Sequence, residues 1–467
     1  MLRFKIRRVF ATGVLCVGFS VPAVGTAHAA DGESEKTVID EVLAVLKQRG
    51  DIAEEDYQRL VAKNSAAEKK EKSLLPTMRF FGDLRGRMDS AWYREDPVSD
   101  RPNRFAGRYR ARLGVAADVN PYISGTFRLA SGTGDNRSEN TSFGDKVDFA
   151  PDSVFIDWAY LTLHPIQEDL MPVEGGKLDI VWGKQPNPFL WTDTPDILLW
   201  DNDITPEGGA VTISAQPLDT MRIFANAGYF IIQENSGFSG GANTFSADPH
   251  VIGAQVGSEL LPYEDVAIGW RGAWYGFRSL NQSFFQRGVN GSGGVTSGGG
   301  NVALSDGVTV NGAGTAIVTG DPVVNVGELS MYLTWRGLEE WPITVWGKYA
   351  LNFDAGSIPS SGGDKQDKAW NAGVEIGDKT KWARLSAGYY RLEADAFPSQ
   401  YVDSDLFDGF TNRYGWAFSI VRQIFRNTDA RMTLYWDDYI EGQLPVFATG
   451  VSGSKRTRLQ TDVQVKF

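Results

Sequence analysis

The chain contains 467 residues, with 46 Lys and Arg against 58 Asp and Glu and a formal net charge of −12. This acidic balance excludes strong nucleic-acid binding, because nucleic-acid-binding proteins present a basic surface to the phosphates. The only cysteine, Cys16, lies in a segment that we predict is removed, which excludes disulfides, thiolate catalysis and cysteine metal sites.

Residues 1–30 show the pattern of a cleaved secretory signal peptide. Four cations precede an apolar run over residues 9–24, and Ala27-His28-Ala29 supplies the small residues for cleavage near Ala29 or Ala30. Cleavage removes these cations and no acid, so the net charge of the mature chain becomes −16. The cations are Arg3, Lys5, Arg7 and Arg8.

Residues 31–75 are predicted to form a periplasmic helical lead-in and a linker. Val38 and Leu46 share one helical face, Gly50 interrupts the run, and a second short amphipathic pattern follows it. The spacing within 36–63 resembles a helical-hairpin oligomerisation motif, and a plain periplasmic lead-in is the alternative. The next ten residues are rich in Lys and Glu, as is typical of a solvated linker.

From Met78 onward the apolar residues recur at every second position, which predicts β-strands. Sixteen candidate strands have lengths that suit tilted membrane-spanning strands. We therefore predict an all-β fold over 76–467, a transmembrane antiparallel β-barrel of about 16 strands that lies in the bacterial outer membrane after signal-peptide cleavage. The candidates lie near 78–90, 104–118, 122–131, 153–163, 176–184, 208–215, 220–230, 251–261, 264–277, 325–336, 342–353, 368–377, 381–391, 412–424, 429–438 and 456–467.

The connections alternate in length as they do in outer-membrane barrels, with short periplasmic turns and long external loops. An even number of strands then places both ends of the barrel domain on the periplasmic side. The longest loop, 278–324, is rich in Gly, Ser and Asn, and it is either mobile outside the barrel or folded over its mouth.

Strands one, two and sixteen carry arginines on the face opposite their apolar residues. Alternation places these arginines in one row per strand on the water-facing wall, and closure would bring the three strands together. We call this predicted wall the basic arc. It contains Arg79, Arg85, Arg87, Arg104, Arg108, Arg110, Arg112, Arg456 and Arg458.

The third external loop, 185–207, combines prolines, apolar residues and acids. Such a loop is expected to pack rather than move freely in solvent. We predict that it folds into the lumen and that its acids face the basic arc across a constriction. Packing on a neighbouring subunit is the alternative. The acids are Asp193, Asp196, Asp201, Asp203 and Glu207.

Candidate catalytic and metal-binding residues are few. Only His164 and His250 remain after signal cleavage, and we expect neither to have Ser and Asp partners on one wall, so no enzyme and no cofactor are predicted. The acids Asp403, Asp405 and Asp408 depart from the EF-hand spacing and are predicted to be solvated external acids, with no metal site.

The last twelve residues alternate strictly between polar and apolar side chains and end at Phe467. Such a strand suits a wall between lipid and water. The final aromatic residue also resembles the terminal signature of bacterial outer-membrane barrels, which the barrel assembly machinery reads. Phe467 is therefore predicted to be an assembly signal.

Three short motifs carry a wider resemblance. Trp182-Gly183-Lys184-Gln185, Trp200-Asp201-Asn202-Asp203 and Pro206-Glu207-Gly208 resemble the bacterial Putative porin family. This resemblance implies an outer-membrane diffusion channel for small hydrophilic solutes or ions, surrounded by outer-membrane lipid and assembled as a homotrimer. The alternative is a loop-plugged barrel that acts as a scaffold for partners. A passive channel with weak anion tolerance is the leading prediction, because nearby lumen charge outweighs screened loop charge.

Overall fold

The computed structural model describes the barrel strands, part of the external loops and two short helical segments. The predicted signal peptide 1–30 and the linker 64–73 lie outside the described residues. The described ranges are 38–49, 52–54, 57–61, 77–94, 103–166, 175–190, 197–234, 248–280, 284, 300–305, 308–310, 316–320, 322–358, 362–440 and 455–467.

The helical lead-in begins with α1, Val38–Arg49. Lys47 in the last turn of α1 forms an exposed ion pair of 2.7 Å with Glu54, and its ammonium group lies 4.5 Å from the centre of the Tyr57 ring. These contacts link the helix to the short helical stretch at 57–61. In the described part of the chain, no helix is long and apolar enough to cross a membrane.

Sixteen long strands follow, one for each predicted strand. The first eight are β1 Thr77–Arg94, β2 Arg104–Asn120, β3 Ile123–Ser131, β4 Val154–Ile166, β5 Lys177–Lys184, β6 Glu207–Leu218, β7 Met221–Ile231 and β8 His250–Tyr263. The others are β9 Val266–Arg278, β10 Val324–Trp335, β11 Ile343–Asn352, β12 Lys368–Ile376, β13 Arg384–Leu392, β14 Arg413–Phe425, β15 Thr428–Tyr439 and β16 Lys455–Lys466. Three short strands lie in the external loops, at Thr141–Ser142, Val308–Val310 and Ala316–Val318.

Each long strand pairs antiparallel with its neighbours in the chain, and β1 closes the sheet by pairing with both β2 and β16. Leu84 of β1 is opposite Ala111 on one side and Val465 on the other. The predicted closed, antiparallel 16-strand barrel is therefore confirmed.

Alternation gives each strand one apolar outer face and one polar inner face. On β1, Phe80, Leu84 and Met88 point outward with exposures of 63%, 53% and 45%, whereas Arg87 and Asp89 point inward and are each 5% exposed. Large apolar side chains exposed at this density around a barrel are covered by lipid in a membrane.

The external loops fold inward and build an apolar cluster inside the barrel. Their side chains pack against aromatic residues of the inner wall, such as Tyr275, Trp346 and Tyr390. Leu280, Phe284, Leu304 and Val308 of loop 278–324 belong to this cluster, so these residues are folded against the barrel rather than mobile outside it. We call the loop residues of the cluster the loop core: Phe189, Leu198, Leu199, Trp200, Phe284, Leu304, Phe397, Leu406 and Phe407.

Candidate functional site

The basic arc lies on the inner face of β1, β2 and β16. In the strand register, Arg85 is opposite Arg110 and Arg87 is opposite Arg108. Like charges directly opposite each other repel, so such a wall needs compensating acids.

Acids on the same three strands provide part of this compensation. Asp83 forms ion pairs with Arg110 at 3.0 Å and Arg112 at 2.6 Å, while Asp462 pairs with Arg87 at 2.7 Å. Asp89 pairs with Arg458 at 2.7 Å. The acids lie at alternate positions on the same inner face as the arginines. The alternation that predicts a basic wall therefore also predicts acids on that wall that compensate its charge.

Loop 185–207 begins against the wall formed by β7, β8 and β9. Its Phe189 carbonyl accepts hydrogen bonds from Arg271 Nη1 at 2.8 Å and from Gln255 Nε2 at 3.1 Å. Farther along the loop, the Trp200 ring lies 5.4 Å from the Tyr275 ring. A buried side chain that donates a hydrogen bond to a backbone carbonyl fixes the position of both groups. Leaving either group without a hydrogen-bond partner would cost about 1–3 kcal/mol.

The same loop reaches the basic arc at its other end. Asp203 Oδ1 accepts a hydrogen bond of 3.3 Å from Arg110 Nη1 on β2. The loop therefore extends from β8 and β9 across the lumen to β2.

The other predicted acids lie elsewhere. Asp201 is buried and accepts backbone hydrogen bonds from Asp203 at 2.8 Å and from Ser404 at 2.7 Å. Glu207 begins β6 and pairs with Lys184 at 2.9 Å. Asp193 and Asp196 lie outside the described residues. Among the described acids of this loop, only Asp203 forms an ion pair with the basic arc.

Loop 393–412 carries Asp403, Asp405 and Asp408, which we predicted to be solvated. Asp405 pairs with Arg87 at 2.7 Å and Arg458 at 3.4 Å, and Asp408 lies 3.2 Å from Arg458. The prediction that Asp403, Asp405 and Asp408 are solvated is wrong. The loop folds into the lumen because its apolar residues join the loop core, and they bring the acids with them.

Loops 185–207 and 393–412 are joined directly. The Asp201 amide donates a 2.8 Å hydrogen bond to the Tyr401 carbonyl, and the Trp200 ring lies 5.1 Å from the Phe397 ring and 5.4 Å from the Tyr401 ring. The two loops thus form one inner unit that contacts the arc at Asp203, Asp405 and Asp408.

The carboxyl groups of this unit differ in pKa. Burial raises the pKa of Asp403 to about 7, and burial with the neighbouring Asp403 charge raises the pKa of Asp201. Burial would also raise the pKa of Asp405, but the positive charges of the arc hold it well below its ordinary value. Asp405, which pairs with the arc, is therefore ionised, whereas Asp201 and Asp403 hold protons near neutral pH.

Arg85 is the exception within the arc. In the described part of the chain it has no carboxylate within ion-pair distance, and its guanidinium donates a 2.6 Å hydrogen bond to the Asn140 amide oxygen. Arg104 is exposed at the start of β2, and Arg79 pairs with Asp118 at 3.4 Å where both are exposed. Arg85 is consequently the half-buried arginine whose charge is least compensated.

A second polar group occupies the inner wall of β3, β4 and β5. Ser124 Oγ lies 3.2 Å from His164 Nε2, and His164 Nδ1 lies 2.7 Å from Asp179 Oδ1. The expectation that His164 lacks Ser and Asp partners is wrong, because the register of three consecutive strands brings these alternate positions together. His250 instead lies at the start of β8, with Nδ1 2.8 Å from the Asp248 carbonyl.

Phe467 joins the first strand to the last beyond the end of β16. The Gly82 amide donates a 2.9 Å hydrogen bond to the Phe467 carbonyl, and the Phe467 amide donates one of 3.1 Å to Gly82. A Cβ atom added to Gly82 would lie 2.8 Å from the Phe467 ring. The aromatic ring thus packs directly over the glycine backbone.

Comparisons with known proteins agree with this architecture. Residues 95–289 match the family described as Putative porin, which confirms the resemblance. No curated protein matches the chain. OprB of Pseudomonas putida is 9% identical, with a TM-score of 0.50 over 84% of this chain and 94% of that one. OmpF of Salmonella typhi is 10% identical, with a TM-score of 0.46 over 84% and 97% of the two chains.

The closed barrel shares its fold with OprB, and the family match over residues 95–289 supports a place in the bacterial outer membrane. Its apolar outer face and charged inner face are the features that a channel wall between lipid and water requires.

Proposed function

We propose that this chain, of which residues 95–289 match the Putative porin family, forms a water-filled channel for passive diffusion of small hydrophilic solutes or ions. Loop 185–207 narrows the channel, together with loop 393–412, in front of the basic arc. The observation that carries the proposal is the course of the first loop, which is held at Phe189 by β8 and β9 and contacts Arg110 of β2 through Asp203.

The charge arrangement supports selection by electrostatics rather than by a tight binding site. Loop acids and wall arginines meet in pairs, so most of the lumen charge is compensated locally. Arg85 remains without a carboxylate partner in the described part of the chain. Rings of side-chain charge set ion preference in pores generally, and a residual positive charge gives weak anion preference.

Single-channel recording of the purified barrel in planar bilayers tests this proposal. The wild-type protein should conduct, and Trp200→Ala should raise the conductance because the indole joins the two loops. Trp382→Ala, at an exposed turn between β12 and β13, is the matched control and should leave the conductance unchanged. A folded barrel that never conducts would refute the channel.

The loop core supports a second candidate, a loop-plugged barrel that serves as a scaffold for partners. Several of its side chains are at most 1% exposed, including Phe189, Leu198 and Phe407, so the loops fill part of the lumen. In that case neither the wild-type protein nor Trp200→Ala conducts, and deletion of residues 36–63 abolishes partner binding while the barrel still folds.

We also propose that the chain is not an enzyme, although Ser124, His164 and Asp179 are linked by short distances. β3 pairs on both sides, with β2 and β4, so the backbone around Ser124 is engaged in the sheet and offers no free N–H groups for an oxyanion. Hydrolysis of a small ester that is lost in Ser124→Ala would overturn this proposal.

Processing and assembly complete the proposed function. We propose a signal peptide at 1–30, a periplasmic segment at 31–75 and a barrel domain at 76–467. We further propose that the barrel assembly machinery recognises Phe467 and that the barrel forms a homotrimer. Mass spectrometry of the mature protein and of its native complex would measure the cleavage site and the number of subunits.

A further inference from the structure

Loop 132–153, which joins β3 to β4, contacts both the basic arc and loop 393–412. Its Glu139 pairs with Arg112 of the arc at 3.0 Å. Its Arg137, in the same short segment, donates hydrogen bonds to the backbone of loop 393–412. This segment therefore connects the wall of the channel to the loop that supplies most of the acids facing the arc.

The Arg137 side chain is one of the largest that are fully buried, with an exposure of 2%. Its Nη1 donates hydrogen bonds of 3.1 Å to two carbonyl oxygens, those of Ser399 and Gly409. The Ser404 hydroxyl in turn donates a 2.9 Å hydrogen bond to the Arg137 carbonyl. Arg137 thus holds segment 399–409 at its start, its middle and its end. A buried guanidinium keeps such hydrogen bonds, because burying a charge without partners is costly.

Segment 399–409 carries the loop acids that compensate the basic arc. Asp405 pairs with Arg87 at 2.7 Å, and Asp408 lies 3.2 Å from Arg458. Both acids lie between the two carbonyl groups that one nitrogen atom holds together. The position of these acids in the lumen therefore depends on how the base of the segment is closed.

We propose that Arg137 is a positioning residue for ion selectivity. By closing segment 399–409 it holds Asp405 against the basic arc, and it thereby sets how much of the positive charge of the arc a passing ion meets. The inference rests on the proposed channel and deepens it, since it names a residue that sets ion preference although its own side chain is buried.

Gly409 is the second part of this arrangement. Its backbone is left-handed, with a φ of +73°, and a Cβ atom added there would collide with the Arg137 guanidinium. A side chain at this position would therefore push the guanidinium away from its two carbonyl acceptors. Gly362 has nearly the same φ, +72°, but a Cβ atom there meets nothing within 4 Å. The two glycines allow the same substitution at similar backbone strain, with and without displacement of Arg137.

Two roles of Arg137 would change ion preference in opposite directions. Arg137 carries a charge of its own, which lies 3.7 Å from Asp135. If this charge acted directly on passing ions, its removal would lower anion preference. If Arg137 acts through Asp405, its removal releases that acid from the arc. The charges of Arg87 and Arg458 are then less compensated, and anion preference rises.

Reversal potentials of the intact protein, folded in detergent and inserted in planar bilayers, test the proposal in a potassium chloride gradient. Arg137→Met should increase anion preference by no more than Asp405→Asn does, and the double variant should show no shift beyond that of Asp405→Asn. Gly409→Ala keeps every charge and should shift the preference in the same direction. Arg426→Met, in the exposed turn between β14 and β15, and Gly362→Ala are the matched controls and should leave the preference unchanged.

Hydrogen exchange of segment 399–409 in the same variants separates positioning from a purely structural role. An unchanged ion preference in Arg137→Met overturns the inference even where exchange becomes faster, because Arg137 then only stabilises the loop. A shift towards cations, or a full additional shift in the double variant, overturns it as well.

The outcome for Gly409→Ala decides the question if Arg137→Met does not fold, and an unchanged preference in that variant overturns the inference. In all these cases the conducting channel stands. A folded wild-type barrel that never conducts refutes the channel itself, and this role of Arg137 with it.

Discussion

Asp405 of loop 393–412 lies 2.7 Å from the guanidinium of Arg87 on β1, although 318 positions separate the two residues in the chain. The Arg87 side chain is 4% exposed and also pairs with Asp462. One guanidinium is thus shared between an acid of the wall and an acid of a loop. The position of the loop therefore determines how much of the positive charge of Arg87 is compensated.

Removing the loop charge should shift the ion preference. We expect Asp405→Asn to increase anion preference, because Arg87 and Arg458 lose a shared counter-charge. The reversal potential in a potassium chloride gradient measures this shift. Asp364→Asn makes the same charge change at an exposed loop residue and is the control. Equal shifts in both variants would mean that overall charge, rather than the arc, sets the preference.

Arg85 and Arg112 should respond differently to the same substitution. Arg85→Gln should reduce anion preference and leave the barrel stable, because no described carboxylate is paired with it. Arg112→Gln leaves Asp83 and Glu139 without this partner and should cost about 3–5 kcal/mol, as breaking a buried ion pair does. Reversal potentials and thermal unfolding of the detergent-folded proteins test the pair. Similar destabilisation by both changes would contradict the assigned contacts.

Loop 393–412 should become less stable as pH rises towards neutrality. Burial raises the pKa of Asp403 from 3.8 to about 7, so the folded loop holds a proton that the unfolded loop releases. This contribution is fully present below pH 3.8 and is lost as pH rises through about 7. Hydrogen exchange of residues 393–412 should therefore be faster at pH 8 than at pH 5, after correction for the intrinsic rate.

Asp403→Asn is the control for this pH effect, because the amide oxygen can still accept from the backbone of Asp405 and Leu406. The pH dependence between 5 and 8 should become weaker in this variant. An unaltered dependence would assign the effect to other buried acids, such as Asp201 or Glu139.

The seam between β1 and β16 should be sensitive to the size of one residue. A Cβ atom at Gly82 would lie 2.3 Å from the Arg112 carbonyl oxygen and 2.8 Å from the Phe467 ring, so Gly82→Ala should slow barrel closure. Gly86→Ala, on the same face of β1, meets nothing within 4 Å and should fold normally. The fraction of heat-modifiable, folded barrel during refolding measures both. Equal folded fractions of the two variants would show that the seam between β1 and β16 accommodates the added methyl group.

Strand alternation was sufficient to predict the wall of this barrel. The faces of Arg87, Arg110 and Arg458 follow from the period of two, and antiparallel neighbours follow from short turns. The same rule could have identified the acids Asp83 and Asp462 as partners, since they share the inner face with the arginines.

The loop contacts could not be predicted in this way. Alternation describes a strand, whereas the position of Asp405 depends on how Phe397, Leu406 and Phe407 pack with residues of two other loops. The grouping of Ser124 with His164 required the register between strands as well as their faces. Both contacts join residues that are far apart in the chain, whereas the hydrophobic period describes only the local strand.

The pairing of β1 with β16 has a consequence for how the protein reaches the membrane. Twelve residue pairs join these strands, and among the described strands β1 pairs only with β2 and β16. Until β16 arrives, β1 presents an open row of backbone donors and acceptors that lipid cannot satisfy. Insertion must therefore be delayed, or that edge must be shielded by another protein, until nearly the whole chain has left the translocation machinery.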